Sequence, residues 1–159
     1  MSRRPDAGVT LVEVLVVLAL VAVVAGAAGL GLSGGTGPDA AAREAQLLAV
    51  RLERAGDDAL VTGRRAALVW ERRGYRFESD GEDGWAPHPE PALAAFHETA
   101  PAVALRGEET APDREAGRYV LARDMVPEGG RPLALLLEGG GARVALRHDG
   151  IAARVEAEP

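Results

Sequence analysis

From Val14 to Leu32 the chain is one uncharged apolar run, VLVVLALVAVVAGAAGLGL, long enough at about 1.5 Å per residue to cross a hydrocarbon core. Its last turns, carrying Ala25, Gly26, Ala27, Ala28, Gly29 and Gly31, are small on every face. Such residues let helices approach closely and weaken the helix by up to about 1 kcal/mol per Gly. Ser33-Gly-Gly-Thr-Gly-Pro38 then breaks the pattern, with Pro38 placed as the first helical residue of a new segment. The stretch 33–38 reads as a hinge, with a flexible juxtamembrane linker as an equal alternative.

From Asp39 the pattern turns amphipathic. Ala41, Ala45, Leu48, Leu52, Ala55 and Ala59 recur at three- and four-residue spacing, and the charges lie mostly elsewhere. This predicts a helix over 39–62 with one face to bury, stopped by Gly63. Its mixed charges favour packing on a sheet over lying on a membrane surface, which calls for a basic polar face. The rest, 66–156, reads as β-rich. Ala66 to Arg72 and Tyr75 to Ser79 are strands at hairpin spacing around Arg73-Gly74, and Asp80 to Gly84 is the following turn. Trp85 after it is a core or strand-start aromatic. Ala102 to Arg106 and Tyr119 to Ala122 are further short strands, with Glu108 to Gly117 a loop without assigned structure. Leu133 to Glu138, Ala142 to His148 and Ile151 to Glu156 form a meander turned by Gly139-Gly-Gly141 and Asp149-Gly150.

Composition narrows the function. All eighteen basic residues are arginine, and the formal net charge is −6. Loss of residues 1–8, whose Arg3, Arg4 and Asp6 sum to +1, would take the −6 to −7. That balance disfavours nucleic acid, which needs a basic face. With no cysteine there is neither a disulfide framework nor a thiolate metal site. His88, His97 and His148 have no metal-ligand spacing and read as surface or strand residues. Asp80 to Gly84 lacks the ligand spacing of a calcium loop, so it reads as a solvated acidic turn. Gly139-Gly-Gly141 lacks the Gly-Lys-Ser/Thr of a phosphate loop, and His148-Asp149 has no nucleophile elbow beside it. No catalytic set, metal site or cofactor site is expected, and the chain does not read as an enzyme.

One residue contradicts a plain anchor. Glu13 interrupts the apolar stretch near its start, where a carboxylate is costly unless it has a partner. A cut after Gly8 would supply one, since the new ammonium at Val9 lies four residues away, within helical reach of Glu13 in the same or a neighbouring chain. The basic leader Arg3-Arg4, the Gly, the sequence V-T-L-V-E and the apolar run behind it resemble the class III signal of type IV prepilins and type II secretion pseudopilins. The resemblance implies cleavage between Gly8 and Val9 by prepilin peptidase, N-methylation of Val9, and a role for Glu13 in filament assembly. Its Val9 departs from the Phe or Met more often found at the first mature position. The implied layout is a leader over 1–8, a transmembrane helix over 9–32, the hinge over 33–38 and a periplasmic domain over 39–159. Arg3 and Arg4 stay cytoplasmic by the positive-inside tendency, so the C-terminal domain crosses the inner membrane.

The end of the chain favours a subtype. P-E-G-G-R-P-L-A-L-L-L from Pro127, followed by A-R-V-A-L-R-H-D-G-I-A-A-R-V, resembles the close of the H-type minor pseudopilins. That family implies an α+β, pilin-like fold, with a stem helix packed on antiparallel β-sheet structure. It also implies a place in the periplasmic pseudopilus that drives protein export across the outer membrane. The implied partners are the major and other minor pseudopilins and prepilin peptidase, with the inner-membrane platform and assembly ATPase acting indirectly. Two alternatives stay open: a minor type IV pilin serving adhesion or DNA uptake, and a secreted protein whose ordinary signal ends at Ala25-Gly26-Ala27.

Overall fold

The computed structural model describes residues 14–21, 37, 39–107, 115–122, 124, 126–127 and 130–158. The chain divides into two units, Met1–Gly34 and Gly35–Pro159. In the first, residues 14–21 are helical (α1), and the large side chains Val14, Leu15, Val16, Val17, Leu18, Leu20 and Val21 are all exposed. Among the described residues no helix is long and apolar enough to cross a membrane. The leader over 1–8, the rest of the expected span and most of the hinge lie outside the described residues.

The second unit is built on α2 (Ala40–Thr62). Every position of the predicted apolar stripe is buried: Ala41, Ala45, Leu48, Leu52 and Ala55 at 0 % exposure and Ala59 at 1 %. Four of these six are alanines, so the helix axis can come close to whatever it covers, and Leu48 and Leu52 supply most of the apolar volume. Asp39 occupies the N-cap position without a side-chain cap bond. Gly63 stops the helix at φ 68°, the left-handed conformation that costs a residue lacking Cβ least. At the same end the Thr62 hydroxyl donates to the Asp58 carbonyl at 2.7 Å.

Two antiparallel sheets lie under α2. The first has the order β3-β2-β1-β6, from β1 (Ala66–Glu71), β2 (Gly74–Gly81), β3 (Gly84–Pro87) and β6 (Ala116–Leu121). A short β4 (His97–Glu98) shares with β3 the outer edge of β2, pairing Gly74 and Tyr75 while β3 pairs Glu78 to Gly81. Between β3 and β4 lies a one-turn helix α3 (Pro91–Ala94), with proline in its first turn, where the missing N–H costs nothing. The second sheet has the order β5-β7-β8-β9, from β5 (Ala104–Gly107), β7 (Leu133–Gly139), β8 (Ala142–His148) and β9 (Ala153–Glu158). Helix α2 touches β1 and β6 of one sheet and β7, β8 and β9 of the other. One continuous core results, from Leu48 and Leu52 through Leu68, Tyr75 and Phe77 to Leu105, Leu135, Leu137 and Leu146.

This is the expected α+β arrangement, with several local corrections. Helix α3 and strand β4 fall in a proline-containing stretch too short to show a period. The turn expected over Asp80 to Gly84 narrows to Glu82-Asp83, because the strand pairs Asp80 with Trp85 and Gly81 with Gly84. The loop expected over Glu108 to Gly117 ends sooner, since Ala116 and Gly117 pair with Glu71 and Trp70 in β6. Gly117 is required there: a Cβ on it would sit 2.2 Å from the Trp70 indole. Residues 108–114 lie outside the described residues.

Candidate functional site

The residues expected to carry processing and assembly, Gly8, Val9 and Glu13, lie outside the described residues. The stretch directly after Glu13, residues 14–21, is helical with an exposed apolar surface. A helix of this kind places residues three and four apart on one face.

In the second unit, the polar side chains gather where α2 meets the segment between β3 and β5. The Glu44 carboxylate faces His97 Nε2 at 3.0 Å and accepts the Ala100 backbone N–H at 3.2 Å. Further along the helix, the Arg51 guanidinium lies 5.6 Å from the Tyr75 ring centroid. Arg54 grips Glu90 through two nitrogens, at 2.8 and 2.6 Å. His88 closes the row, its Nε2 3.4 Å from Asp58 Oδ2 without hydrogen-bond alignment. Glu44, Arg51, Arg54 and Asp58 are spaced seven, three and four apart, so one side of α2 holds the whole segment. From that segment Leu93 and Val103 contribute buried apolar side chains to the core, beside the polar pairs.

His97 and His148 are strand residues, in β4 and β8, as the sequence reading allows, whereas His88 is neither on a strand nor on the surface. His88 and His148 are 3 % and 1 % exposed. His88 Nδ1 accepts the Glu90 N–H at 3.1 Å. His148 Nδ1 accepts the Gly150 N–H at 3.1 Å and lies 3.3 Å from the Tyr119 hydroxyl, joining β8 to β6 across the two sheets. Burial lowers the His148 pKa below its ordinary 6.5, with the Asp149 and Glu53 charges opposing. The same burial pushes the Tyr119 and Tyr75 hydroxyls up to about 12, so both stay protonated. The alternation Val144, Leu146, His148 along β8 was the sequence signal for the inward side chain. Asp149, beside it, has its pKa lowered chiefly by the N–H groups of Ala152 and Ile151, an Asx-type turn. Among the described residues no group of His, Asp and Glu gathers in a way that could hold a metal ion.

Comparison with known proteins adds a motif and a fold. A model of the prokaryotic N-terminal methylation motif matches residues 3–29, which include Gly8, Val9 and Glu13. Among solved structures, the fold is similar to the minor pseudopilin EpsH from the Type 2 Secretion System of Vibrio cholerae. The TM-score is 0.60 at 16 % identity, covering 75 % of this chain and 98 % of that one. A second similarity is to the type IV minor pilin FimU of Pseudomonas aeruginosa, with a TM-score of 0.49 at 12 % identity over 72 % of this chain and 85 % of that one. No curated protein matches in sequence. The fold is thus pilin-like, a helix packed on antiparallel sheets, and the methylation motif stands ahead of it in the sequence.

Proposed function

We propose that the protein is a minor pseudopilin of the H type, a structural subunit of the type II secretion pseudopilus. The observation that supports this reading is that 75 % of the chain matches 98 % of a minor pseudopilin of that system, and that the methylation motif occupies residues 3–29. On this reading prepilin peptidase cuts between Gly8 and Val9, and Val9 becomes the methylated first residue. Residues 9–32 anchor the chain in the bacterial inner membrane, 33–38 form a hinge, and 39–159 face the periplasm. The partners are the major and other minor pseudopilins, with the inner-membrane platform acting indirectly. Its role is to be built into a filament rather than to catalyse a reaction.

Glu13 is the assembly residue in this scheme. Once the leader is gone, the ammonium at Val9 sits in apolar surroundings and needs an anion, and Glu13 of the same or an adjacent subunit is the nearest one in sequence. Breaking a buried pair from one side costs on the order of 3 to 5 kcal/mol, enough to suppress incorporation by two or more orders of magnitude. The test measures the intact mass of membrane-extracted protein and its crosslinking to the other pseudopilins, for wild type, Glu13→Val and Glu13→Gln. Expected are a methylated chain starting at Val9 in all three, weak crosslinking for Glu13→Val and an intermediate level for Glu13→Gln. A mature chain starting at Ala28 would establish an ordinary signal peptide instead. Loss of piliation or DNA uptake with export intact, on deleting the gene, would establish the minor type IV pilin.

A further inference from the structure

Strand β9 is the outer strand of the second sheet, so among the described residues only its β8 side is paired. Natural sheets keep a free edge away from other edges with a bulge, a proline inside the strand or a charge pointing toward the core. Strand β9 carries none of these. Its pairing with β8 runs unbroken from Ala153 to Glu158, and no proline lies in that stretch. Ala153, Val155 and Ala157 stand opposite the buried His148, Leu146 and Val144, so its core side is apolar throughout. Its charges, Arg154, Glu156 and Glu158, lie on the other face.

The ladder with β8 fixes which backbone groups are free. The turn between the strands is closed by the Asp149 N–H, which donates to the Ala152 carbonyl at 3.4 Å. Along an antiparallel pair, residues that bond across the ladder alternate with residues that turn away from it. Counting from that closing pair, Arg154, Glu156 and Glu158 turn their N–H and C=O groups to β8. Ala153, Val155 and Ala157 turn theirs to the open edge.

A second β9 can use those groups in one register that also matches charge. With Val155 opposite Val155 of the second copy, Ala153 lies opposite Ala157, and three pairs each exchange two backbone hydrogen bonds. The same register sets Arg154 opposite Glu156, and Glu156 opposite Arg154, at the closer, non-hydrogen-bonded positions where cross-strand side chains meet. A slip of two residues spoils this, because one direction places Arg154 opposite itself and the other places Glu156 opposite itself. Parallel in-register pairing stacks every charge on its own kind. Arg154 is 66 % exposed, with Nη1 3.2 Å from Asp149 Oδ2. Within its own sheet it stands opposite Arg147, so a carboxylate arriving from the open side relieves a like-charge contact.

We propose that two copies of the chain pair edge to edge through β9, about a two-fold axis at Val155, and so join their second sheets into one antiparallel sheet. The axis is perpendicular to the sheet, which keeps both core faces on one side. Ala153 and Val155, half-buried at the margin of each core, then meet the margin of the other. The inference stands on the strand register and does not depend on a role in export.

The test follows the full chain in nonionic detergent by sedimentation equilibrium and by hydrogen exchange at β9. Wild type should form a dimer, and the Ala153, Val155 and Ala157 amides should exchange more slowly as protein concentration rises. Arg154→Glu and Glu156→Arg each turn both charge pairs into like pairs, and each should weaken the dimer about tenfold or more. An equimolar mixture of these two variants should recover it, since every pair across the edge is then opposite in sign. The chain carrying both substitutions should recover it for the same reason. Ala157→Pro, which removes an N–H that points outward and none that β8 uses, should keep the fold and abolish the dimer. Near-UV circular dichroism of each variant checks the fold, and Ala157→Pro keeps the test open should a charge variant unfold. A monomeric wild type, or a mixture no more associated than its two components, would overturn the proposal. So would a dimer that persists in every variant without slowing exchange at β9, which places the contact elsewhere on the chain.

Discussion

His148 keeps its place between the sheets as a neutral ring, and this gives it a direction in pH. Its pKa is lowered in the folded protein, so below the ordinary value of 6.5 the unfolded chain binds more protons than the folded one. The stability attached to this residue is therefore complete above that value and declines as pH falls through it toward the folded pKa. Asp149, also lowered, acts only further into acid, below its ordinary 3.8. Urea unfolding at pH 8 and pH 5 should thus show wild type less stable at pH 5. His148→Asn, whose amide oxygen can still accept the Gly150 N–H, should lose part of that difference; an unchanged difference would assign the pH effect elsewhere. At this scale the sequence is a partial guide. Gly63 announced its stop, and the strand was read through His148, although the side it faces was not. His88 gave no such sign, because its burial comes from Asp58 and Glu90, which reach it from α2 and from the turn before α3.

Among the elements, α2 was the most legible, since a stripe at helical spacing describes a single helix without knowledge of its partner. Its buried face is mostly alanine, so the loss from one large side chain should be correspondingly concentrated. Leu52→Ala should cost about 2 to 5 kcal/mol, measured by equilibrium denaturation. Val61→Ala, at a position 87 % exposed, should stay within about 0.5 kcal/mol of wild type. The β7-β8-β9 meander was legible too, because Gly140 and Gly141 with positive φ, and Asp149-Gly150, mark its turns. Strand β4 and helix α3 were not. Two residues of strand exist only because Gly74 and Tyr75 offer an edge, and an edge is a property of the partner rather than of the stretch itself. The start of β6 was hidden for a related reason: Gly117 reads as a loop residue until Trp70 lies across it.

For the molecule as a whole, the division into two sheets was not visible beforehand, because it depends on which distant strands pair. The N-terminal motif was visible, being a matter of adjacent residues, while the free edge of β9 was not, since an edge is fixed only once the other strands have paired. Because α2 covers both sheets and Tyr119 reaches from one to His148 in the other, neither sheet should unfold alone. Denaturation followed by tryptophan fluorescence, which reports the first sheet, and by far-UV circular dichroism, which reports both, should give coincident transitions. Separated midpoints would mean that the bridge is weaker than its burial implies.

The position of α2 also sets how the molecule bears a mechanical load. A pull on the helix at its Ala40 end is opposed by the whole buried stripe from Ala41 to Ala59 at once, because the helix must slide across both sheets before any single contact is spared. A pull on β9 instead peels hydrogen-bonded pairs from β8 one after another, starting at Arg143 and Glu158. Resistance to force is a rate property, governed by how much must break before the barrier is crossed. The protein is therefore stiff to traction along α2 and weak at its last strand, so a tug on the Ala40 end leaves the domain folded where the same tug on β9 would unravel it.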